Sequence, residues 1–246
     1  MTRIIGISGK KQSGKNTAAN FLHGLALKGN GLAPDFSIDA AGELVVLTDS
    51  GWGVFDITRK DTAFVEYADL NMWPHVKLYS FADGLKGLCV EFFGLKPEQA
   101  YGTDDEKNTK TKVKWEDTPT WQKSSLNLNR GFMTSRELLQ YFGTNVMRKM
   151  HKDVWVEHTV NKIKREQTEL AIIADVRFPN EVEAILSAGG EVIKLQRAPL
   201  KDNHESETAL DEGNFDQSKF SYMIPSGSIK GLCSALESIF LKGSTC

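Results

Sequence analysis

Cysteine is scarce in this chain: Cys89, Cys233 and Cys246 are the three that occur in 246 residues. An odd and widely spaced set of this size suits neither a disulfide framework nor a structural zinc site, and it is typical of a protein from a reducing compartment. The five histidines show no metal-ligand spacing with these cysteines. The composition therefore argues against secreted disulfide-rich domains and zinc-binding modules.

The chain also lacks an excess of charge of one sign and a long apolar run. Its formal net charge is -2 and its pI is near 6.2, whereas a protein that coats a polynucleotide needs a basic surface. The sequence shows no signal peptide and no apolar run of membrane-spanning length. We expect a soluble, cytoplasmic protein with small-molecule partners, no polynucleotide partner and no membrane contact.

The most informative stretch is a glycine-bounded loop near the start of the sequence. The apolar run Ile4–Ile7 precedes the pattern G-x-x-x-x-G-K, which extends from Gly9 to Lys15. The next apolar residues have the spacing of one helix face: Ala18, Phe21, Leu22 and Leu25. In such a strand–loop–helix unit, backbone N–H groups and the helix N-terminus surround a polyphosphate, and the lysine reaches its outer phosphates. The sequence predicts nucleotide binding here.

One position departs from the usual form of this loop. The residue after the lysine, usually a Ser or Thr that serves magnesium, is Asn16, and Thr17 follows it. An amide oxygen is also a hard ligand, so the altered loop retains a magnesium ligand. Whether Asn16 or Thr17 serves the ion stays open.

A second informative stretch begins at Thr134. Thr134 and Glu137 form a capping box, which predicts the start of a helix. Apolar residues recur every four positions and predict its buried face: Leu138, Phe142, Val146 and Met150. The opposite face carries Arg136, Gln140 and Thr144, with Gly143 among them. A guanidinium suits phosphate and an amide suits a base edge, so we favour a ligand-facing stripe over a solvated face.

A third stretch combines an apolar run with charged residues. Leu170–Ala174 is typical of a central parallel strand, and Asp175 follows it directly. Because ligands of α/β sheets bind beyond the carboxyl ends of the strands, Asp175 and Arg177 are candidate site residues, with Glu181 near Arg177. A structural ion pair is the alternative. Further elements are predicted at Val76–Phe81, Ala82–Phe93, Asp153–Arg165, Glu191–Leu195, Phe220–Ile224 and Ser228–Leu241.

Two segments interrupt this pattern within what we interpret as one domain, residues 1–246. Residues 29–74 resemble an insertion with a β-hairpin, its strands Glu43–Leu47 and Gly53–Ile57, most simply a structural flap. Residues 101–131 form a polar stretch that contains Trp115, Pro119 and Trp121. Long loops of this kind are often lids, and a mobile linker is the alternative.

Together these stretches resemble the deoxynucleoside monophosphate kinases of tailed bacteriophages. The similarity covers most of the chain except the hairpin insertion. It is carried by Ser8–Thr17, Tyr79–Lys86 with Tyr101–Gly102, Arg136–Gln140 with Gly143–Thr144, Asp153–Val156, Asp175–Glu181 and His204–Glu207. Asn16 stands where these kinases often carry Asp, and Pro225 stands where Asn is expected beside the adenine.

The resemblance implies a three-layer α/β P-loop kinase fold, a parallel sheet flanked by helices, with the β-hairpin as an insertion. It also implies transfer of the ATP γ-phosphate to a deoxynucleoside monophosphate, giving the diphosphate for DNA precursor synthesis. The expected cofactors are ATP and Mg²⁺. The compartment would be the host cytoplasm if a phage encodes the protein, and a homodimer is an option. Alternatives are a dephospho-coenzyme A kinase and a non-catalytic nucleotide-binding switch.

The resemblance also assigns roles to residues. The catalytic group would be Lys15, Arg136, Asp175 and Arg177. ATP would contact Ser13, Gly14, Lys15, Asn16 and Thr17, the last two being the candidate magnesium ligands. The substrate site would comprise Arg136, Glu137, Gln140, Gly143, Thr144, Trp155, Asp175, Arg177 and Glu181. By residue type alone Trp155 is a packing residue, and it is the resemblance that makes it a substrate contact.

Overall fold

The computed structural model describes residues 2–119, 129–196, 208–225 and 227–242. The chain divides into two compact units, a first one of Met1–Ser80 with Thr159–Cys246 and a second one of Phe81–His158. The interpretation of 1–246 as a single domain stays a prediction. The segment His204–Glu207, one of the stretches that carry the resemblance, lies outside the described residues.

The secondary structure alternates strands and helices along most of the chain. The described strands are β1 (Arg3–Gly9), β2 (Phe36–Ile38), β3 (Leu44–Thr48), β4 (Gly51–Val54), β5 (Val76–Tyr79), β6 (Lys110–Lys114), β7 (Phe132–Thr134), β8 (Leu170–Val176), β9 (Glu191–Leu195) and β10 (Tyr222–Ile224). The described helices are α1 (Lys15–Gly29), α2 (Thr62–Tyr67), α3 (Asp83–Phe93), α4 (Pro97–Tyr101), α5 (Asp104–Lys107), α6 (Ser135–Gln140), α7 (Arg148–Met150), α8 (Val154–Glu166), α9 (Pro179–Ser187) and α10 (Ile229–Lys242). Short π-helical stretches follow α2 and α6, at Ala68–Met72 and Tyr141–Met147.

The first unit is built on a parallel sheet with strand order β10-β9-β1-β8-β5. Along β1 the side chains alternate between two faces. Ile5 and Ile7 are fully buried in a core cluster that includes Leu22 of α1 and Leu236 of α10. On the opposite face, a Cβ at Gly6 would lie 2.6 Å from Ile185 Cδ1 of α9. Helices therefore cover both faces, and the predicted three-layer α/β fold with a parallel sheet is confirmed.

The insertion contains more structure than the predicted hairpin. The hairpin is present, but β2 adds a third antiparallel strand, giving the order β2-β3-β4. The second strand begins at Gly51 instead of Gly53, because Thr48 pairs with Gly51 across a two-residue turn. Gly51 has φ 104°, a conformation that glycine adopts without steric cost. The sequence predicted a five-residue turn, Thr48–Trp52, and a second strand that extends to Ile57, whereas β4 is Gly51–Val54, so both boundaries were wrong.

The second unit combines short helices with the antiparallel pair β6–β7. Its core cluster is Cys89, Leu95, Met133, Leu138 and Tyr141. The interpretation of 101–131 as a continuous polar connection was wrong in part, because α5 and β6 form within it. A capping box starts α5: Thr103 Oγ1 accepts from the Glu106 N–H. Residues 120–128 lie outside the described ranges, and the lid role stays a prediction.

Within the described ranges, no helix combines the length and the apolar character that crossing a membrane requires.

Candidate active site

The predicted phosphate-binding loop connects β1 to α1. Gly14 has φ 91°, a left-handed conformation that favours glycine, and it directly precedes the first residue of α1. At Gly9 a Cβ would overlap Ser13 Oγ and would lie 3.1 Å from the Leu195 carbonyl oxygen, so the close approach of these atoms favours a glycine. The two glycines of the motif are thus favoured by the turn and by close approach. They let the loop's backbone pass near the start of a helix, which favours an anion.

The Lys15 side chain folds back over this loop. Its Nζ donates hydrogen bonds to the carbonyl oxygens of Gly9, at 2.6 Å, and Lys10, at 2.7 Å. These two carbonyl oxygens hold the ammonium at the edge of the loop. Phosphate oxygens carry charge and make stronger hydrogen bonds with an ammonium than carbonyls do. The arrangement suits a lysine that can transfer its contacts to a bound polyphosphate.

Ser13 carries an unsatisfied polar atom within the loop. Among the described residues, the buried side-chain nitrogen and oxygen atoms without a hydrogen-bond partner are Ser13 Oγ and His23 Nδ1. Leaving a buried hydroxyl unpaired costs about 1–3 kcal/mol. A phosphate oxygen at the loop would accept from Ser13 and remove this cost. The geometry thus fits the sequence prediction that Ser13 contacts ATP.

A cavity of about 560 Å³ opens beside the loop, a volume in the range of small-molecule sites. Its polar end is formed by Gln12, Ser13, Gly14, Lys15, Asn16 and Thr17. Its other lining residues are Ala41, Leu195, Gln196, Ile224, Pro225, Gly227, Ser228, Ile229 and Leu232. The cavity therefore pairs phosphate-binding groups with apolar side chains that suit a base. Of the second set, Pro225 alone was predicted near the nucleotide, because tertiary packing and not the local sequence brings these residues together.

A second cavity, of about 350 Å³, borders the beginning of the loop and contains Arg177. Its cations include Lys10, whose Nζ lies 2.8 Å from Asp211 Oδ2, and Lys194. Lys194 Nζ donates to the Leu210 carbonyl at 2.7 Å and to Gln217 Oε1. Burial lowers the pKa of this lysine. Neither lysine was predicted as a site residue, because Lys10 occupies a position of the loop where the motif specifies no residue type and Lys194 is far from the loop in the sequence.

Asp175 lies near the end of β8, as predicted, and accepts a hydrogen bond from Ser80 Oγ, which follows the neighbouring strand β5. Glu181 is 2% exposed. Its Oε2 accepts from the backbone N–H groups of Arg177, at 2.7 Å, and Phe178, at 3.1 Å. The predicted proximity of Arg177 and Glu181 is confirmed, with the Arg177 backbone as the donor. Glu181 fixes the turn that presents Arg177, so its geometry is that of a positioning residue.

The capping box at Thr134 in the second unit is confirmed. The Thr134 N–H donates to Glu137 Oε2 at 2.7 Å, and the Glu137 N–H donates to Thr134 Oγ1 at 3.1 Å. The Glu137 carboxylate therefore holds the helix start. Of the predicted stripe, Gln140 and Thr144 are exposed. Arg136 is half-buried and pairs with Asp104 at 2.7 Å and Asn108 Oδ1 at 3.2 Å.

The predicted buried face of this helix is confirmed except at its last position. Leu138 is 2% exposed, and Phe142 and Val146 are half-buried against the core cluster of the second unit, but Met150 is 79% exposed. The π-helical stretch adds residues per turn and rotates the positions that follow it, so a four-residue spacing no longer keeps one face. The placement of Met150 in the core was therefore wrong.

Gly143 and Trp155 have packing partners in the second unit. A Cβ at Gly143 would lie 2.6 Å from Leu85 Cδ2. The Gly143 carbonyl accepts a hydrogen bond from Trp155 Nε1 at 3.3 Å, and Trp155 is 4% exposed. These contacts match the packing role that the residue type of Trp155 predicts. The substrate roles of both residues stay predictions.

A family comparison decides the class of this protein. Residues 88–218, more than half of the chain, match the family described as deoxynucleotide monophosphate kinase. The chain belongs to that family. The resemblance inferred from the motifs is therefore confirmed, and the chain is a kinase of deoxynucleoside monophosphates. The match begins after the phosphate-binding loop, so the roles of Gly9–Thr17 rest on the geometry described above.

Two similar proteins come from viruses. A protein of Acanthamoeba polyphaga mimivirus, assigned as a deoxynucleotide monophosphate kinase, is 34% identical over 146 residues, which cover 53% of this chain and 67% of that protein. The deoxynucleoside-5'-monophosphate kinase of Escherichia phage T5 is 29% identical over 89 residues, covering 32% of this chain and 36% of the phage protein. The chain thus spans about a third of the phage relative.

Proposed function

We propose that this kinase transfers the γ-phosphoryl group of ATP to a deoxynucleoside monophosphate and so supplies diphosphates for DNA precursor synthesis. The observation that carries the proposal is the 560 Å³ cavity, which joins a phosphate-binding loop to an apolar lining. We also propose the host cytoplasm as its compartment, in line with relatives encoded by a virus and a phage.

The donor's phosphates lie along the loop in this proposal. Backbone N–H groups near the start of α1 and the Ser13 hydroxyl donate to phosphate oxygens, and Lys15 exchanges its two carbonyl acceptors for the outer phosphates. The base lies against Ile224, Pro225, Ile229 and Leu232. The transferring group carries charge that changes during reaction, so Lys15 contributes mostly in the transition state.

The residues at the start of α1 fit a magnesium ion. No three His, Cys, Asp or Glu side chains of the described chain cluster as metal ligands. Magnesium in kinases is held by substrate phosphates, waters and one or two protein oxygens, and Asn16 and Thr17 offer oxygens beside Lys15. When bound, the ion neutralises charge on the phosphates. We assign Asn16 to the ion or its water and Thr17 to an inner phosphate.

The acceptor nucleotide contacts the stripe of Arg136, Gln140 and Thr144 in this proposal. Arg136 is the phosphate ligand in this proposal. Its planar guanidinium binds the Asp104 carboxylate, and a phosphate group presents oxygen atoms in the same geometry. Gln140 is exposed, and its amide can both donate to and accept from a base edge. In the first unit we propose Arg177 as a further phosphate ligand, with Asp175 and Glu181 orienting the groups around it.

The test is a transfer assay with ATP, magnesium and each of the four deoxynucleoside monophosphates, with products separated by charge. We expect the diphosphate from at least one acceptor, and a loss of about a hundredfold or more in kcat for Lys15→Met with an unchanged circular dichroism spectrum. Near-normal turnover in Lys15→Met would remove the loop from the mechanism. Phosphorylation of dephospho-coenzyme A alone, or ATP binding without transfer to any acceptor, would contradict the proposed reaction.

A further inference from the structure

The insertion between α1 and β5 lies against the phosphate-binding helix. Phe36 of β2 packs on Gly24 so closely that a Cβ there would overlap the Phe36 ring. The ring centroids of Phe36 and Phe21 are 5.5 Å apart. Leu44 of β3 is fully buried in the core cluster that contains Phe21. Because the inserted sheet shares its core with α1, it holds a defined position relative to the loop that precedes α1.

The turn between β2 and β3, residues Asp39–Glu43, is held in one conformation by its own hydrogen bonds. Asp39 Oδ1 accepts from the N–H groups of Ala41 and Glu43, both at 2.9 Å. The Asp39 N–H donates to the Glu43 carbonyl at 3.0 Å, and Gly42 has φ 88°. We call this segment the insertion turn. It is preorganised, and such surfaces lose little entropy when a ligand contacts them.

The insertion turn contacts the first turns of α1 at two points. Asn20 is buried, and its Nδ2 donates to the Gly42 carbonyl at 2.9 Å. A Cβ at Gly42 would overlap Thr17 Oγ1, so the turn's backbone lies directly on the Thr17 side chain. Ala41, the preceding residue, and its neighbour Ala40 are both exposed, but of the two it is Ala41 that lines the nucleotide cavity.

We propose that two residues of the insertion turn are part of the donor site: Ala41 contacts the sugar and inner phosphate of the nucleoside triphosphate, and Gly42 positions Thr17. The residues that line the cavity indicate which part of the nucleotide Ala41 contacts. Lys15 marks the outer phosphates, Ile229 and Leu232 line the part suited to the base, and Ala41 neighbours the residue that contacts Thr17. The insertion thereby has a role in nucleotide binding as well as in packing. The inference rests on the proposed function.

The experiment compares two tryptophan substitutions one residue apart. Ala41→Trp fills the cavity beside Thr17, and we expect the KM for ATP to rise about tenfold or more, with the KM for the deoxynucleoside monophosphate changed less than twofold. Ala40→Trp adds the same bulk on the same turn outside the cavity lining, and we expect the parent's KM for ATP. Because the contact is with sugar and phosphate, the KM for GTP as donor should rise by the same factor as that for ATP.

Each result bears on one of the two proposals. A parent enzyme that neither binds ATP nor transfers its phosphate would remove the proposed donor site and the inference with it. If the parent enzyme is active but Ala41→Trp and Ala40→Trp have equal KM values for ATP, the inference alone is overturned. It is also overturned if Ala41→Trp raises the KM for the acceptor alone, or if it raises the KM values for ATP and GTP by different factors. Thermal melting of both variants shows whether they are folded; if Ala41→Trp is unfolded, Ala41→Leu is measured against Ala40→Leu.

Discussion

At the scale of single residues, two neighbours in the loop differ in their surroundings. Asn16 is exposed, whereas Thr17 is half-buried and lies against Gly42. An exposed amide is free to turn toward a hydrated ion, and a side chain held by its neighbours is suited to one fixed phosphate oxygen. The structure thus supports different roles for two residues that the sequence left open.

A magnesium titration of the initial rate separates these roles. Asn16→Ala should shift the magnesium midpoint upward several-fold, with excess metal restoring most of the rate, because a ligand of the ion is lost. Thr17→Val should raise the KM for ATP at every magnesium concentration. Asn16→Ser and Asn16→Asp are the matched controls, and both should retain most activity. If Asn16→Ala titrates as the parent does while Thr17→Val shifts the midpoint, the assignments are reversed.

Arg136 supports a second prediction at this scale. Arg136→Ala should raise the KM for the deoxynucleoside monophosphate about tenfold or more while the KM for ATP stays unchanged, and Arg136→Lys should rescue poorly because it lacks the planar fork. Asp104→Asn should lower the acceptor KM by up to about fivefold, since an exposed ion pair contributes about 0–1 kcal/mol. Lys149→Ala, the loss of an exposed cation after the π-helical stretch, is the control. A rise in the KM for ATP alone would assign Arg136 to the other nucleotide.

At the scale of elements, the π-helical stretch after α6 explains both a wrong prediction and a close contact. It turns Met150 outward, and Gly143 lies within it against Leu85. The absence of a side chain at Gly143 therefore allows close packing against Leu85 within the second unit. That role is independent of any contact that Gly143 makes with a substrate.

Two glycine-to-alanine substitutions in the second unit test this packing. Gly143→Ala should lower the free energy of unfolding by about 1 kcal/mol, the lower end of the cost of overpacking, because the half-buried Leu85 side chain must shift away from a Cβ 2.6 Å from its Cδ2. Gly87→Ala in α3 meets no atom within 4 Å, and it should be neutral or stabilising by up to about 1 kcal/mol. Urea denaturation monitored by circular dichroism gives both values. Equal effects of the two substitutions would contradict the packing argument.

At the scale of the whole molecule, a buried histidine couples stability to pH. His23 of α1 is 1% exposed, and its Nε2 lies 3.3 Å from Met72 Sδ. Burial lowers the pKa of His23 to about 3, from 6.5. Below pH 6.5 the unfolded chain binds a proton that the folded chain does not take up until near pH 3. The free energy of unfolding therefore decreases on acidification through this window and gains nothing from His23 above it.

Between pH 6.5 and 5 we expect this histidine to contribute a decrease of up to about 1.4 kcal/mol per pH unit. His23→Leu should remove that part of the slope, whatever it does to stability at pH 7.5. His151→Leu is the control, because the pKa of exposed His151 is raised by Glu157, and removal of that group leaves the decrease in place. Urea denaturation at several pH values gives the slopes. An unchanged slope in His23→Leu would show that His23 is protonated in the folded chain.

The sequence by itself determined the parts of this protein that depend on neighbouring residues. The apolar run and glycine spacing predicted the loop between β1 and α1, and the capping box predicted the start of α6. Strand β9 was predicted with its observed bounds, Glu191–Leu195. Each of these patterns acts through contacts within a few residues, so the information is local in the chain. The combination of motifs also identified the family.

Only the tertiary structure decided which distant residues meet. It brings Ala41 and Gly42 of the insertion to Thr17, Ser80 to Asp175, and the apolar residues after β10 to the loop. The order β10-β9-β1-β8-β5 fixes the last two of these encounters, and packing of the inserted sheet on α1 fixes the first. Both follow from packing over the whole unit. The exposure of Met150 also depends on structure that the local sequence pattern does not show. The π-helical stretch changes which side of the chain faces the core, and a four-residue spacing of apolar residues does not predict that change.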